Sequence, residues 1–167
     1  AIKEIDDGIP YEVIKERYPT QSLMYEQKLK NRERENIEKK LKTTCRDVEV
    51  IFVYGPPRAG KTTYVNSQVN FDFNNIFVIE NYGDYMFTGY EKQQCVLFDE
   101  FIGQVKPIAK MNKLLEPFPK RLNVKGGVVQ AAYDKVFIVS NYSLNELYRD
   151  CKQEQYESYV AFCERIH

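Results

Sequence analysis

Val50-Ile51-Phe52-Val53-Tyr54-Gly55-Pro56-Pro57-Arg58-Ala59-Gly60-Lys61-Thr62 is the stretch that decides how this chain folds. Its opening residues are apolar, β-branched or aromatic, the composition of a buried strand. Residues 55–62 then fit G-x-x-x-x-G-K-[ST], and a helical pattern runs over Thr62–Asn70. A strand, a glycine-bearing loop and a helix in that order make a phosphate-binding P-loop. Backbone N–H groups of such a loop converge on phosphate oxygens, and the helix N-terminus adds a favourable dipole. Gly55, Pro56, Pro57, Arg58, Ala59, Gly60, Lys61, Thr62 and Thr63 are therefore the expected nucleotide-phosphate site. Lys61 would neutralise the β- and γ-phosphates of ATP, and the Thr62 hydroxyl would ligate Mg²⁺.

Three further apolar runs read as strands: Ile76-Phe77-Val78-Ile79, Cys95-Val96-Leu97-Phe98 and Val136-Phe137-Ile138-Val139. Near-continuous runs of this kind indicate a parallel sheet covered on both faces. Helical patterns between them, at Thr62–Asn70 and about Pro107–Leu115, make the expected architecture α/β with a central, mainly parallel sheet. One segment departs from the alternation. Arg121–Val124 and Val128–Tyr133 flank Lys125-Gly126-Gly127, the signature of a β-hairpin with a glycine-bearing turn. Leu144–Arg149 and Gln153–Ile166 read as two closing helices.

Two of the strands end in chemistry. Cys95–Phe98 runs into Asp99-Glu100, the form of a Walker B strand that delivers carboxylates beside the P-loop. Asp99 would hold Mg²⁺, directly or through water, and Glu100 would orient and polarise the attacking water. Val136–Val139 runs into Ser140-Asn141. An amide there can hydrogen-bond the γ-phosphate or the lytic water. Each ending is common by itself, an ordinary turn asparagine being the plain alternative for Asn141. The ordered set of motifs is what carries the assignment.

Composition excludes several classes. Of 167 residues, 24 are Lys or Arg and 24 are Asp or Glu, so the formal charge is zero and the usual basic signature of a nucleic-acid binder is missing. Local placement of charge must then do any such binding. No apolar run approaches the roughly 18–20 residues of a membrane span. The four cysteines, Cys45, Cys95, Cys151 and Cys163, lack C-x-x-C spacing, which argues against zinc and for free thiols in a reducing compartment. His167 is the single histidine, which removes chemistry needing a histidine pair. With no initiator Met and an end directly after a helical segment, a piece of a longer protein is expected.

Residues 1–45 form a separate, heavily charged stretch in which Pro19-Thr20 divides two helical patterns, with Thr20 or Ser22 as cap of the second. Glu26–Lys30, Glu35–Lys39 and Glu38–Lys42 are spaced for ion pairs on an exposed helix. The expected division is a helical linker or oligomerisation segment over 1–45 and an ATPase domain over 46–167.

Taken together, GPPRAGKT (55–62), VLFDEFIG (96–103), NVKGGVV (123–129), VFIVSN (136–141) and AFCERIH (161–167) resemble the superfamily 3 helicase domain of replication-initiator (Rep) proteins. These come from small circular single-stranded DNA viruses, circoviruses especially, and from related plasmids. Phe87-Thr88-Gly89-Tyr90 stands where that family often carries Trp-x-Gly-Tyr. Picornavirus-type RNA helicases share the same core motifs.

The resemblance implies a three-layer, AAA+-like ATPase using ATP and Mg²⁺, assembled as a homo-oligomeric ring, a hexamer being the expected form, around single-stranded DNA. RNA is the alternative partner, and a non-motor P-loop binding protein the alternative class. The hairpin would project into the pore, with Lys125 gripping the phosphate backbone and Arg121 and Lys135 as supporting charges. Gly126-Gly127 would allow close approach and Tyr133 base stacking. A solvated turn lysine is the plainer alternative for Lys125. By position Arg165 would be the arginine finger acting on the neighbouring subunit, Arg149 being a second choice and a surface ion pair the alternative for both. The family's nicking nuclease, which needs paired histidines, is not expected here. The implied location is the host nucleus for a eukaryotic virus, or the cytoplasm for a plasmid- or bacterium-derived protein.

Overall fold

The computed structural model describes residues 1–70 and 72–167, which divide into two compact units, Ala1–Thr44 and Cys45–His167. In the first unit, α1 (Ile2–Asp6) and α2 (Tyr11–Arg17) pack on the long α3 (Pro19–Thr43) around Ile5, Tyr11, Ile14 and Leu29. The single expected break is thus followed by one long helix kinked at Tyr25 (φ −122°, ψ 19°) and preceded by two short ones. Pro19, whose fixed φ suits the first helical position, opens α3 without a side-chain cap. Thr20 and Ser22 therefore lie inside the helix rather than capping it. Ser22 is buried, and its hydroxyl donates to the Ile14 carbonyl at 3.5 Å.

Two of the three expected ion pairs form, Lys30–Glu26 at 2.6 Å and Lys42–Glu38 at 3.8 Å. Glu35 instead lies 4.0 Å from Arg32, whose guanidinium also reaches both oxygens of Asp6 at 2.7 and 3.2 Å. Hydrogen bonds from Arg32 and then Asn36 hold the Asp6 carboxyl below its usual range.

In the second unit β1 (Glu49–Tyr54), β2 (Ile76–Ile79), β3 (Cys95–Phe98) and β6 (Lys135–Ser140) form one parallel sheet in the order β1-β6-β3-β2. All four are the strands expected from the apolar runs. Alternation explains why those runs are unbroken. Val96 and Phe98 of β3 and Val136 and Ile138 of β6 face α5 (Ile108–Leu115) and α8 (Tyr156–Glu164). Cys95, Leu97, Phe137 and Val139 face Val65 and Val69 at α4 (Lys61–Gln68). Helices cover both faces, so neither set of alternate residues is free to be polar.

The larger face is aromatic. Phe87 stacks on Tyr133 with centroids 6.2 Å apart and planes at 3°, and Tyr90 meets both rings edge-on. Phe98, Phe101, Tyr148 and Phe162 continue the cluster by edge contacts. The high Tyr and Phe content fills this layer.

The hairpin is present as β4 (Arg121–Val124) and β5 (Gly127–Gln130), joined by a tight turn at Lys125-Gly126 in which Gly126 takes φ 89°, a conformation open to glycine. Its second arm is shorter than the sequence suggests. After Gln130 the chain turns inward, and Tyr133 is fully buried with its hydroxyl donating to the Leu114 carbonyl at 2.8 Å.

The C-terminal segment also differs from expectation, forming α6 (Leu144–Leu147), α7 (Cys151–Glu154) and α8 instead of two helices. Beyond α8, Ile166 bridges Val50 in parallel and the His167 N–H donates to the Val50 carbonyl at 2.9 Å. Among the described residues, no helix is long and apolar enough to cross a membrane.

Candidate active site

Strand order places the motifs together. β6 lies between β1 and β3, all parallel, with Tyr54 opposite Ser140 and Phe98 opposite Ile138. The loops after these strands therefore open at one edge, where open α/β sheets bind ligands. Residues 57–63, 99, 100 and 139–141 line one cleft there of about 490 Å³.

Lys61 is the hub of that cleft. Its Nζ donates to the carbonyls of Gly55 and Pro56 at 2.8 Å each and to Asn141 Oδ1 at 2.9 Å. One ammonium thus ties both ends of the P-loop to the end of β6. Gly60 takes φ 81° and Arg58 φ 63°. For a residue with a side chain that left-handed backbone costs about 1–3 kcal/mol, a strain typical of ligand loops. Pro56 and Pro57 shape the loop but carry no N–H, so its donors come from the other residues.

Asp99 and Glu100 are set by bonds between strand ends. Phe101 N–H donates to the Val139 carbonyl at 2.7 Å, and Ser140 Oγ returns a bond to the Phe101 carbonyl at 2.7 Å. The turn between them puts Glu100 at φ 48° with its N–H bonded to Asp99 Oδ1 at 3.0 Å. Tyr82 Oη–H donates to the Asp99 carbonyl. Burial, then the negative charges of Asp99 and Glu100, push the Tyr82 phenol well above its ordinary value and keep it a donor.

The Thr62 hydroxyl and the Asp99 carboxylate are hard oxygen donors in the same cleft. That set suits Mg²⁺, which binds through one or two protein oxygens together with substrate phosphates.

The other expected residues lie elsewhere. Lys125 is exposed at the hairpin turn, and its N–H donates to Thr88 Oγ1 at 2.9 Å, fastening the turn to the Phe87–Tyr90 segment. Arg121 is exposed at the hairpin base, opposite Gln130, and Gly126 and Gly127 meet open space. Lys135 is not on the hairpin. It opens β6 and pairs with Glu49 at 3.0 Å. Tyr133 cannot stack a base. It is a core residue under the Arg46 guanidinium, 4.4 Å from the ring centroid. Neither arginine lines the Lys61 cleft of its own chain. Half-buried Arg165 folds back on the Ala161 carbonyl at 2.5 Å, whereas Arg149 is exposed.

Sequence reasoning missed Tyr82, Thr88 and the structural half of Ser140. Ser140, next to Asn141 in its motif, and Thr88, within the Phe87–Tyr90 stretch, carried a local signal, whereas Tyr82 carried none. Tyr82 and Thr88 reach their partners across 17 and 37 residues.

The fold and this cleft define an α/β domain of P-loop NTPase type. The chain belongs to the RNA helicase family, whose model matches residues 51–142, from β1 through the turn after β6. It is also similar to replication-associated proteins. That of Human associated cyclovirus 1 is 31% identical over 104 residues, covering 60% of this chain and 36% of the relative. That of Beak and feather disease virus is 30% identical over 104 residues, covering 62% and 34%. That of Goose circovirus is 26% identical over 151 residues, covering 89% and 48%. The chain thus spans between about a third and a half of these relatives' length.

Proposed function

We propose that this domain hydrolyses ATP with Mg²⁺ and uses the cycle to move along single-stranded DNA during rolling-circle replication, as the motor of a superfamily 3 Rep initiator. The observation that carries this is the bond from Lys61 to Asn141 in a cleft that also holds Asp99 and Glu100. Lys61 and the loop hold the β- and γ-phosphates, Thr62 and Asp99 hold Mg²⁺, Glu100 polarises the attacking water, and Asn141 contacts the γ-phosphate or that water. Bound Mg²⁺ supplies charge neutralisation on the phosphate oxygens.

The working form is a homo-oligomeric ring, a hexamer, in which Arg165 or Arg149 completes the neighbour's site. Copies of Lys125 converge on the pore and concentrate positive field from a neutral subunit.

ATPase assays of wild type and Lys61→Ala, with and without single-stranded DNA, test the reading. DNA-stimulated turnover that Lys61→Ala abolishes is expected, and surviving turnover in the variant would overturn it. A second reading, an RNA-stimulated ATPase, is favoured by the family's description as RNA helicase. Greater stimulation by RNA than by DNA in the same assay would select it.

A further inference from the structure

A second cleft, about 250 Å³, opens between α5 and the base of the hairpin. Its charged lining is Lys106, Lys110, Lys113, Lys120 and Arg121 against one carboxylate, Asp84. It shares no lining residue with the nucleotide cleft. Lys110, Lys113 and Arg121 are exposed and Lys120 half-exposed, and among the described residues none of the four makes an ion pair.

Lys106 is more unusual. It is only 8% exposed, and its ammonium reaches just the carbonyls of Tyr82 at 3.5 Å and Gly83 at 3.4 Å. A buried cation ordinarily has an ion partner. Burial, then the nearby charge of Lys110, lowers the Lys106 pKa against a smaller opposing effect of Asp84. Like charges gathered on one side of a helix repel. Among the described residues lining the cleft, Asp84 alone stands against five cations, so most of the cluster's charge is left for an external anion.

The shape selects which anion. The cleft is smaller than the roughly 300–1,000 Å³ that small-molecule pockets occupy. It is open along β4, where Arg121 and Asn123 line it and Lys125 follows at the turn. Lys110 and Lys113 on α5 and Lys120 and Arg121 at the foot of β4 spread the cations along the walls of the cleft, a line of charge rather than a point. We propose that this groove holds the phosphodiester backbone of a nucleic-acid strand passing the hairpin base, a second grip distinct from Lys125 at the tip. The proposal rests on the reading of the domain as a nucleic-acid motor. The groove also adjoins the nucleotide site through one side chain, since Lys106 contacts the Tyr82 carbonyl while Tyr82 Oη–H donates to Asp99.

The test uses wild type, Lys125→Ala and a triple variant, Lys110→Gln, Lys113→Gln and Lys120→Gln, whose surface positions leave the core intact. Fluorescence anisotropy with labelled oligo(dT) and oligo(U) is measured over a KCl series, with a fluorescent ATP analogue in parallel and a thermal melt of each protein. The triple variant is expected to melt like wild type and bind the ATP analogue as wild type does. It should bind the oligonucleotide about tenfold or more weakly, with a log–log salt slope smaller by about 2, since each phosphate contact on a single strand contributes about 0.7. Wild-type oligonucleotide affinity and slope in the triple variant, alongside weakened binding in Lys125→Ala, would overturn the groove and leave the motor reading standing. Loss of ATP-analogue binding in the triple variant would assign the cluster to nucleotide and overturn it too. Failure of wild type to bind either oligonucleotide would overturn both.

Discussion

Lys61 Nζ donates to Asn141 Oδ1 at 2.9 Å, joining the P-loop lysine to the end of β6 across 80 residues of sequence. The contact makes the amide part of the phosphate cradle's own bonding, since the same ammonium also holds the Gly55 and Pro56 carbonyls. A ligand that took the amide's place on Lys61 would break this tie to the end of β6.

Asn141→Ala should therefore separate binding from turnover. Lys61 keeps its two carbonyl partners, so affinity for a non-hydrolysable ATP analogue should change by less than about tenfold. Turnover should fall by about 10²-fold, the usual cost of losing one preorganised donor. Steady-state ATPase and analogue titration check this, and unchanged turnover removes the role given to Asn141.

Glu100→Gln preserves shape and the φ 48° backbone while removing the base. The variant should retain ATP and lose about 10²–10⁴-fold in hydrolysis. Single-turnover measurements with bound nucleotide decide it, wild-type rates being the contrary result.

Subunit mixing addresses the arginines. Arg165→Ala and Lys61→Ala proteins, each inactive alone, should partly restore ATPase when combined, because a finger acts on a neighbour and is worth about 10³–10⁵ in rate. Arg149→Ala is mixed in the same way. Recovery with one arginine only identifies the finger, and recovery with neither contradicts action in trans.

Tyr133→Phe should lower stability by about 1–3 kcal/mol, the cost of leaving the buried Leu114 carbonyl short of its donor. Oligonucleotide affinity should not change. Chemical denaturation and anisotropy measure the two effects, and a selective loss of nucleic-acid binding would restore a stacking role.

Local patterns announced the sheet, the hairpin and the cleft because each depends on short-range chemistry. Val50–Thr62 places strand, loop and helix within one window, and the apolar runs are unbroken because both sheet faces are covered. Tyr133 escaped because its fate depends on Leu114 and Arg46, in elements with no patterned relation to it. The three short closing helices were hidden in the same way. Ser143 and Glu146 form a capping box that starts α6. The breaks after it fall at Tyr148 (φ −129°, ψ 45°) and Gln155 (φ −134°, ψ 51°), ordinary residues that carry no glycine or proline signal. Lysines 110, 113 and 120 drew no notice in a chain of zero net charge, because only folding brings β4 against α5.

At Val50 the edge strand has a parallel neighbour on each side, Val136 from β6 and Ile166 from the tail, while Tyr54 at the far end is 60% exposed. Mechanically β1 is a beam held by β6 along its whole length and clamped from its other side at its root, with the P-loop carried at the less constrained tip. Arg165 sits one residue from the clamp, so a load taken up by that arginine enters the beam at its support.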